Sequence, residues 1–230
     1  MVNKFIPAKI YYEKEILQYP LGKQLFDEYV GVGLPMIEIE SHNKIPELRD
    51  LPDEEFTKLK RYLILGVRKS LRLIPNTRSA DFIVPFTSSG CSAVCLYCYL
   101  VCTFFKNYYL RIYVNIQEMM NQIRHSARKQ DVPKVYEIGS NSDMVLENQI
   151  TGNLRWAIEE FSRIDNARCT FATKFSQVDD LLDIEHNGKT QLRISVNPAE
   201  IIKKIELGTS RLGDRIEAAN KMFRAGYRVG

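Results

Sequence analysis

Apolar residues fall into two rhythms along this chain, one of period near two and one of period near four. Short apolar runs at 5–12, 35–40 and 62–67 read as strands. Between the first two, Ile16, Leu17, Leu21, Leu25, Phe26 and Tyr29 recur at near-helical spacing. They predict a helix over 15–30 whose register Pro20 breaks near its start, and which Gly31 and Gly33 stop. Asp53 is placed to cap a short charged helix over 54–60. Residues 1–80 thus read as a small α/β N-terminal domain.

From Asp81 the pattern becomes an alternation of strand and helix. A strand-like run at 81–87 leads through Ser88-Ser89-Gly90, read as a flexible lead-in, to a loop. Next come a strand at 110–114, a helix from an Asn115 cap to about 128, and a strand at 132–139. A helix at 153–162, a strand at 168–173, a short helix at 178–184, a turn at 186–189 and a strand at 190–195 follow. A helix at 211–225, stopped by Gly226, completes the series. Four strands each followed by a helix predict a parallel sheet, open or barrel-like, over 81–230.

Composition narrows the class. Of 230 residues, 45% are hydrophobic and 26% charged, the profile of a globular protein with a sizeable core. No run of about 18 apolar residues exists to span a membrane, and the first residues lack the apolar segment of a signal peptide. The cytoplasm is therefore the expected location, where clustered thiols more often bind metal than pair. A net charge of +4 permits nucleic-acid binding without arguing for it.

Candidate chemistry gathers at Cys91, Cys95 and Cys98, three of the five cysteines, spaced C-x3-C-x2-C. Three thiolates on a loop suit a soft metal or an iron–sulfur cluster. A closed zinc site needs a fourth ligand such as His125. The same spacing also fits one buried face of a helix, although the preceding Thr-Ser-Ser-Gly reads as a loop. Ser140 to Asp143, Lys174 and Ser195 to Asn197 all fall just past predicted strand ends, where parallel α/β folds assemble ligand sites. Each alone is ordinary turn chemistry; their coincidence with the cysteine loop is not. Arg68, Lys69 and Arg72 read as a solvated basic edge, with phosphate contact as the alternative, His42 as a surface or capping histidine, and Cys169 as core.

These residues carry a resemblance. The cysteine spacing after the first strand of a βα-repeat is similar to the radical S-adenosylmethionine superfamily. Further stretches at 19–23, 66–69, 97–100, 111–115, 137–143, 173–175, 181–183, 186–188, 194–197, 208–210 and 225–227 resemble its spore photoproduct lyase family, over nearly the whole chain. The resemblance implies a partial (β/α) barrel of the radical S-adenosylmethionine type. In it Cys91, Cys95 and Cys98 hold three irons of a four-iron, four-sulfur cluster. Ser142, Lys174, Ser195 and Tyr99 would bind S-adenosylmethionine. It also implies a 5′-deoxyadenosyl radical that takes hydrogen from C6 of the dihydrothymine half of spore photoproduct, so that the bridge fragments to two thymines. A cysteine assisted by Tyr97 and Tyr99 would return the hydrogen. Implied partners are thymine-lesion DNA and an electron donor such as flavodoxin or ferredoxin, and the implied location is the spore core.

The chain also departs from that family. Ser140 stands where many members carry the hydrogen-donor cysteine, and 72–78, where others place it, contains none. Cys102 is either a substitute donor or incidental, and Phe104-Phe105 replace a more usual leucine–glycine pair. The sequence stops where a fifth barrel strand begins, so the expectation is a partial barrel without its last βα units and without the DNA-gripping segment. The alternatives left open are an inactive or truncated homologue, another radical S-adenosylmethionine enzyme, and a zinc-binding module.

Overall fold

Short, β-rich runs build two largely parallel sheets in a computed structural model, which describes residues 5–49, 55–84, 87–103 and 109–230. Asp53, Phe104 and Phe105 lie outside the described residues, as does the Cys102 side chain. In chain order the strands of the first half are β1 (Lys9–Glu13), β2 (Met36–Ile39), β3 (Tyr62–Gly66), β4 (Ile74–Pro75), β5 (Phe82–Ile83), β6 (Ser88–Ser89), β7 (Val94–Cys95) and β8 (Leu110–Tyr113). Those of the second half are β9 (Lys134–Glu137), β10 (Ala167–Thr173), β11 (Thr190–Ile194), β12 (Glu206–Leu207) and β13 (Arg228–Val229). The helices are α1 (Pro20–Gly31), α2 (Pro46–Arg49), α3 (Phe56–Leu59), α4 (Tyr99–Thr103), α5 (Ile116–Ala127), α6 (Met144–Thr151), α7 (Asn153–Ser162), α8 (Ala199–Ile205) and α9 (Leu212–Arg224).

The first sheet runs β2-β1-β3-β8-β6, parallel except for β6, and the second runs β13-β11-β10-β9-β5-β4, parallel except for β4. The strand at 110–114, expected among the barrel strands, instead pairs with β3 in register Leu63 to Leu110. Strands from both sides of position 80 therefore enter each sheet. Tyr136, Leu154, Ile158, Phe161, Phe171 and Leu192 pack the larger core under the second sheet, and Ile10, Leu25, Leu63, Leu65 and Ile112 pack the first. Burial on both faces of a parallel sheet explains why β3 reads as an apolar run more than as an alternation.

Several local expectations give way to specific chemistry. Pro20 starts α1 at its first turn, where its missing N–H costs nothing, and a 3-10 turn over Lys14–Gln18 precedes it. Ser88 and Ser89 form a strand bound to β8, not a flexible lead-in. Asn115 precedes α5 but makes no capping bond; its side chain accepts from Arg68 N and donates to the Arg68 carbonyl. His42 is not a surface histidine: it is 5% exposed, and its backbone N–H and Nδ1 both meet Glu13 Oε1 at 2.8 Å. Arg68 lies over the Tyr113 ring, 5.1 Å from its centroid, and is no simple solvated edge. The expected helix over 178–184 is only a 3-10 turn, Asp179–Leu181. Cys169 is core, as expected, with Sγ 3.2 Å from Thr190 Oγ1.

Helix α6 had no counterpart in the hydrophobic pattern. Met144, Val145, Leu146, Glu147, Asn148 and Ile150 are all buried, so no polar face marks the period. Asp143 caps it, and Gly152, at φ 70°, ends it in the left-handed conformation that glycine adopts freely. Fully buried Glu147 is satisfied by Thr87, Ser88 and Asn153. Burial pushes its carboxyl above the usual range, against those bonds.

Candidate functional site

The site is built where the carboxyl ends of β9, β10 and β11 meet the cysteine loop. Gly90, at φ 80°, joins β6 to that loop and donates its N–H to the Asn141 carbonyl at 2.8 Å. This parallel bridge to the segment after β9 brings Ser142 beside the loop. Cys91 follows, its carbonyl accepting from Lys60 Nζ at 2.9 Å and its Sγ meeting Ala93 N at 3.4 Å. Cys95 lies in β7, paired antiparallel with Glu206 of β12, and Cys98 N donates to the Cys95 carbonyl at 3.0 Å. The loop is therefore no continuous helix; α4 begins only at Tyr99. All three cysteines are partly buried residues. Among the described residues no three His, Cys, Asp or Glu side chains are drawn into a metal-holding arrangement, and His125 is exposed on α5.

The strand-end residues form the rim. Ser142 Oγ is 2.6 Å from Ser88 Oγ, which also bonds Glu147. Asp143 caps α6 through Val145 N and Leu146 N, while its carboxylate also accepts from Thr173 Oγ1 at 2.7 Å and Lys174 N at 2.8 Å. One side chain thus fixes the ends of both β9 and β10. Replacing Asp143 by alanine removes a cap worth about 1 kcal/mol and leaves the buried Thr173 hydroxyl without its acceptor. A loss of about 2 kcal/mol in chemical denaturation is expected, with Asp143→Asn, which keeps an acceptor oxygen, losing clearly less.

Lys174 Nζ lies 5.8 Å from the Tyr97 ring centroid and 3.8 Å from Glu206 Oε1. Tyr97 donates its hydroxyl to Glu206 and accepts from Asn197 Nδ2 at 3.2 Å. The Ser195 carbonyl accepts from Arg215 Nη1 at 2.8 Å. Of the residues singled out in the sequence, Tyr97, Lys174 and Asn197 meet around Glu206, and Ser195 joins them through Arg215. Tyr99 stands at the start of α4, 66% exposed, and Ser140 Oγ is buried without a hydrogen-bond partner in the described structure.

The sequence reading missed Glu206, Arg215 and Lys60. Glu206 and Arg215 form a pair whose side chains are both wholly buried, with Nη2 and Oε2 2.7 Å apart. Arg215 also donates to the Ser210 carbonyl and Thr209 Oγ1. A signal existed: Arg215 occupies the buried stripe of α9 with Ala218 and Met222, and an arginine on an apolar stripe requires a buried partner.

Charge at the site follows from burial and partners. Burial pushes the Cys91 thiol up to about 12; Asp143 adds to this, and Lys60 and the Ala93 N–H oppose it. Burial also raises Cys95, with the Lys174 ammonium pulling the other way. Burial followed by the bond to Glu206 raises Tyr97. Burial works against the Glu206 carboxylate, but bonds from Tyr97, Arg215 and Asn197 outweigh it and hold the group below its usual range.

A family model described as spore photoproduct lyase matches residues 5–230. Spore photoproduct lyase of Bacillus subtilis is 39% identical over 236 residues, covering 100% of this chain and 68% of its own length. That of Clostridium acetobutylicum is 33% identical, with coverage of 100% and 68%. Among solved structures, spore photoproduct lyase complexed with dinucleoside spore photoproduct superposes with a TM-score of 0.93 at 35% identity, over 99% of this chain and 67% of that one. A double variant of the enzyme with bound AdoMet and the same dinucleoside matches with a TM-score of 0.93 at 34% identity. The chain belongs to the spore photoproduct lyase family.

Proposed function

We propose that this chain is a radical S-adenosylmethionine lyase that reverts spore photoproduct in DNA to two thymines, with residues 81–230 carrying the cofactor site and 1–80 supporting it. The observation that carries the reading is the meeting of the cysteine loop with the strand-end rim, where Cys95 pairs with Glu206 and Lys174 stands over Tyr97. Relatives solved with AdoMet and with dinucleoside spore photoproduct support it.

Three cysteines on one anchored loop are a donor set suited to a four-iron, four-sulfur cluster with one iron left open. Cys91, Cys95 and Cys98 would hold it as thiolates. When bound, the cluster supplies the single electron that breaks a sulfonium C–S bond of S-adenosylmethionine. Lys174 would offer an ammonium to the cofactor carboxylate, Ser142 and Ser195 would offer hydroxyls, and Tyr99 would add a further contact. Tyr97, held by Glu206 and Asn197, and Tyr99 form the tyrosine pair for hydrogen return. Ser140 cannot serve as the hydrogen donor, because a serine O–H bond is too strong to give hydrogen readily to a carbon radical. Lesion-bearing DNA and a low-potential electron donor such as flavodoxin or ferredoxin are the partners this reading implies, and the spore cytoplasm is where it would be used. Among the described residues, no helix is long and apolar enough to cross a membrane.

The test is anaerobic loading of the chain with iron and sulfide, followed by AdoMet, dithionite and dinucleoside spore photoproduct. The expected result is a brown protein that releases thymidine, with a colourless triple cysteine-to-alanine variant as control. A colourless wild type carrying one zinc would overturn the reading, and AdoMet cleavage without lesion reversal would leave a different radical enzyme.

A further inference from the structure

A buried cation from the first half of the chain is held against the cysteine loop. Lys60 lies between α3 and β3, is 2% exposed, and donates Nζ to the Cys91 carbonyl across 31 residues of sequence at 2.9 Å. A buried ammonium is retained only where acceptors compensate its lost hydration. Here one acceptor belongs to the loop that carries all three thiols. Asp143, Glu206 and Lys174 are the other charged groups of the rim.

The potential of an iron–sulfur cluster depends on net charge, hydrogen bonding and solvent exposure around it. One-electron reduction adds negative charge, and a fixed cation at the ligand loop favours the reduced state. We propose that Lys60 is an electrostatic positioning residue that makes the cluster easier to reduce, an inference that rests on the proposed cluster at Cys91, Cys95 and Cys98. The step is outer-sphere: a low-potential one-electron donor loses the electron, the cluster gains it, and no bond forms or breaks. The role couples the first sheet to the chemistry of the second, since Lys60 enters β3 at one end of that sheet.

The experiment compares wild type, Lys60→Arg and Lys60→Met, each loaded anaerobically to matched iron content and titrated with dithionite. Visible absorbance and electron paramagnetic resonance report the reduced fraction. At a fixed potential the Lys60→Met ratio of reduced to oxidised cluster should fall about tenfold, equivalent to about 59 mV for one electron. Lys60→Arg should stay within about threefold of wild type. Loading of Lys60→Arg but not Lys60→Met would also support a requirement for charge. A wild-type midpoint in loaded Lys60→Met, an equal shift in both variants, or failure of both to load would overturn the inference. A wild type that takes up no cluster would instead overturn the cluster reading, and this inference with it.

Discussion

Replacing Gly90 by alanine is expected to cost about 3 kcal/mol or more of folding stability and to abolish loading of the cysteine loop. Gly90 has φ 80°, where a side chain costs about 1 kcal/mol. A Cβ built there would stand 2.0 Å from the Tyr109 carbonyl oxygen and 3.1 Å from its carbon. These are backbone atoms next to β8, so no rotamer change relieves the contact, and forced displacement of packed structure costs roughly 1–3 kcal/mol. The same residue bonds the Asn141 carbonyl, so the displacement moves the loop away from Ser142 as well. Urea midpoints at unchanged m-value measure the stability loss, and iron content measures the loop. A Gly90→Ala protein with a wild-type midpoint and full iron content would show that the joint tolerates a side chain.

How much of this was legible depends on the kind of force that fixed each part. The placement of Ser142, Lys174 and Ser195 at strand ends was readable because strand–helix alternation fixes where strands stop. Strand membership was not: Leu110–Tyr113 has the same apolar character whichever sheet takes it, and only pairing with β3 decides. Helix α6 was invisible because burial on every side removes the amphipathic period. His42 lacked any local signal, since its partner Glu13 is 29 residues away. The resemblance supplied chemical roles that periodicity could not, but it said nothing of Lys60, Glu206 or Arg215. Those depend on long-range contacts: Glu206 reaches Tyr97 across 109 positions of sequence.

That dependence makes Arg215 the other sensitive point, and Arg215→Ala is expected to cost about 3–5 kcal/mol at neutral pH. The substitution leaves Glu206, 1% exposed, as a buried carboxylate without its strongest counter-charge. It also strips a donor from the carbonyls of Ser195 and Ser210, so the rim after β11 loosens together with the Tyr97 anchor. The pH dependence has a definite sign. In the wild type Glu206 is held below the usual carboxylate range. Its contribution is therefore complete above the unfolded pKa of about 4.3 and lost as pH falls through the folded value. In the variant, burial without arginine raises Glu206, so acidification protonates it and removes the uncompensated charge. The gap between wild type and Arg215→Ala must then narrow between pH 7 and pH 5, as read from urea unfolding at both. Adding Glu206→Gln to the variant should recover part of the loss at pH 7, because the stranded charge, not the missing packing, accounts for most of it. A small, pH-independent deficit, or no recovery in the double variant, would mean that Arg215 serves mainly as packing and that Tyr97 is held by other contacts.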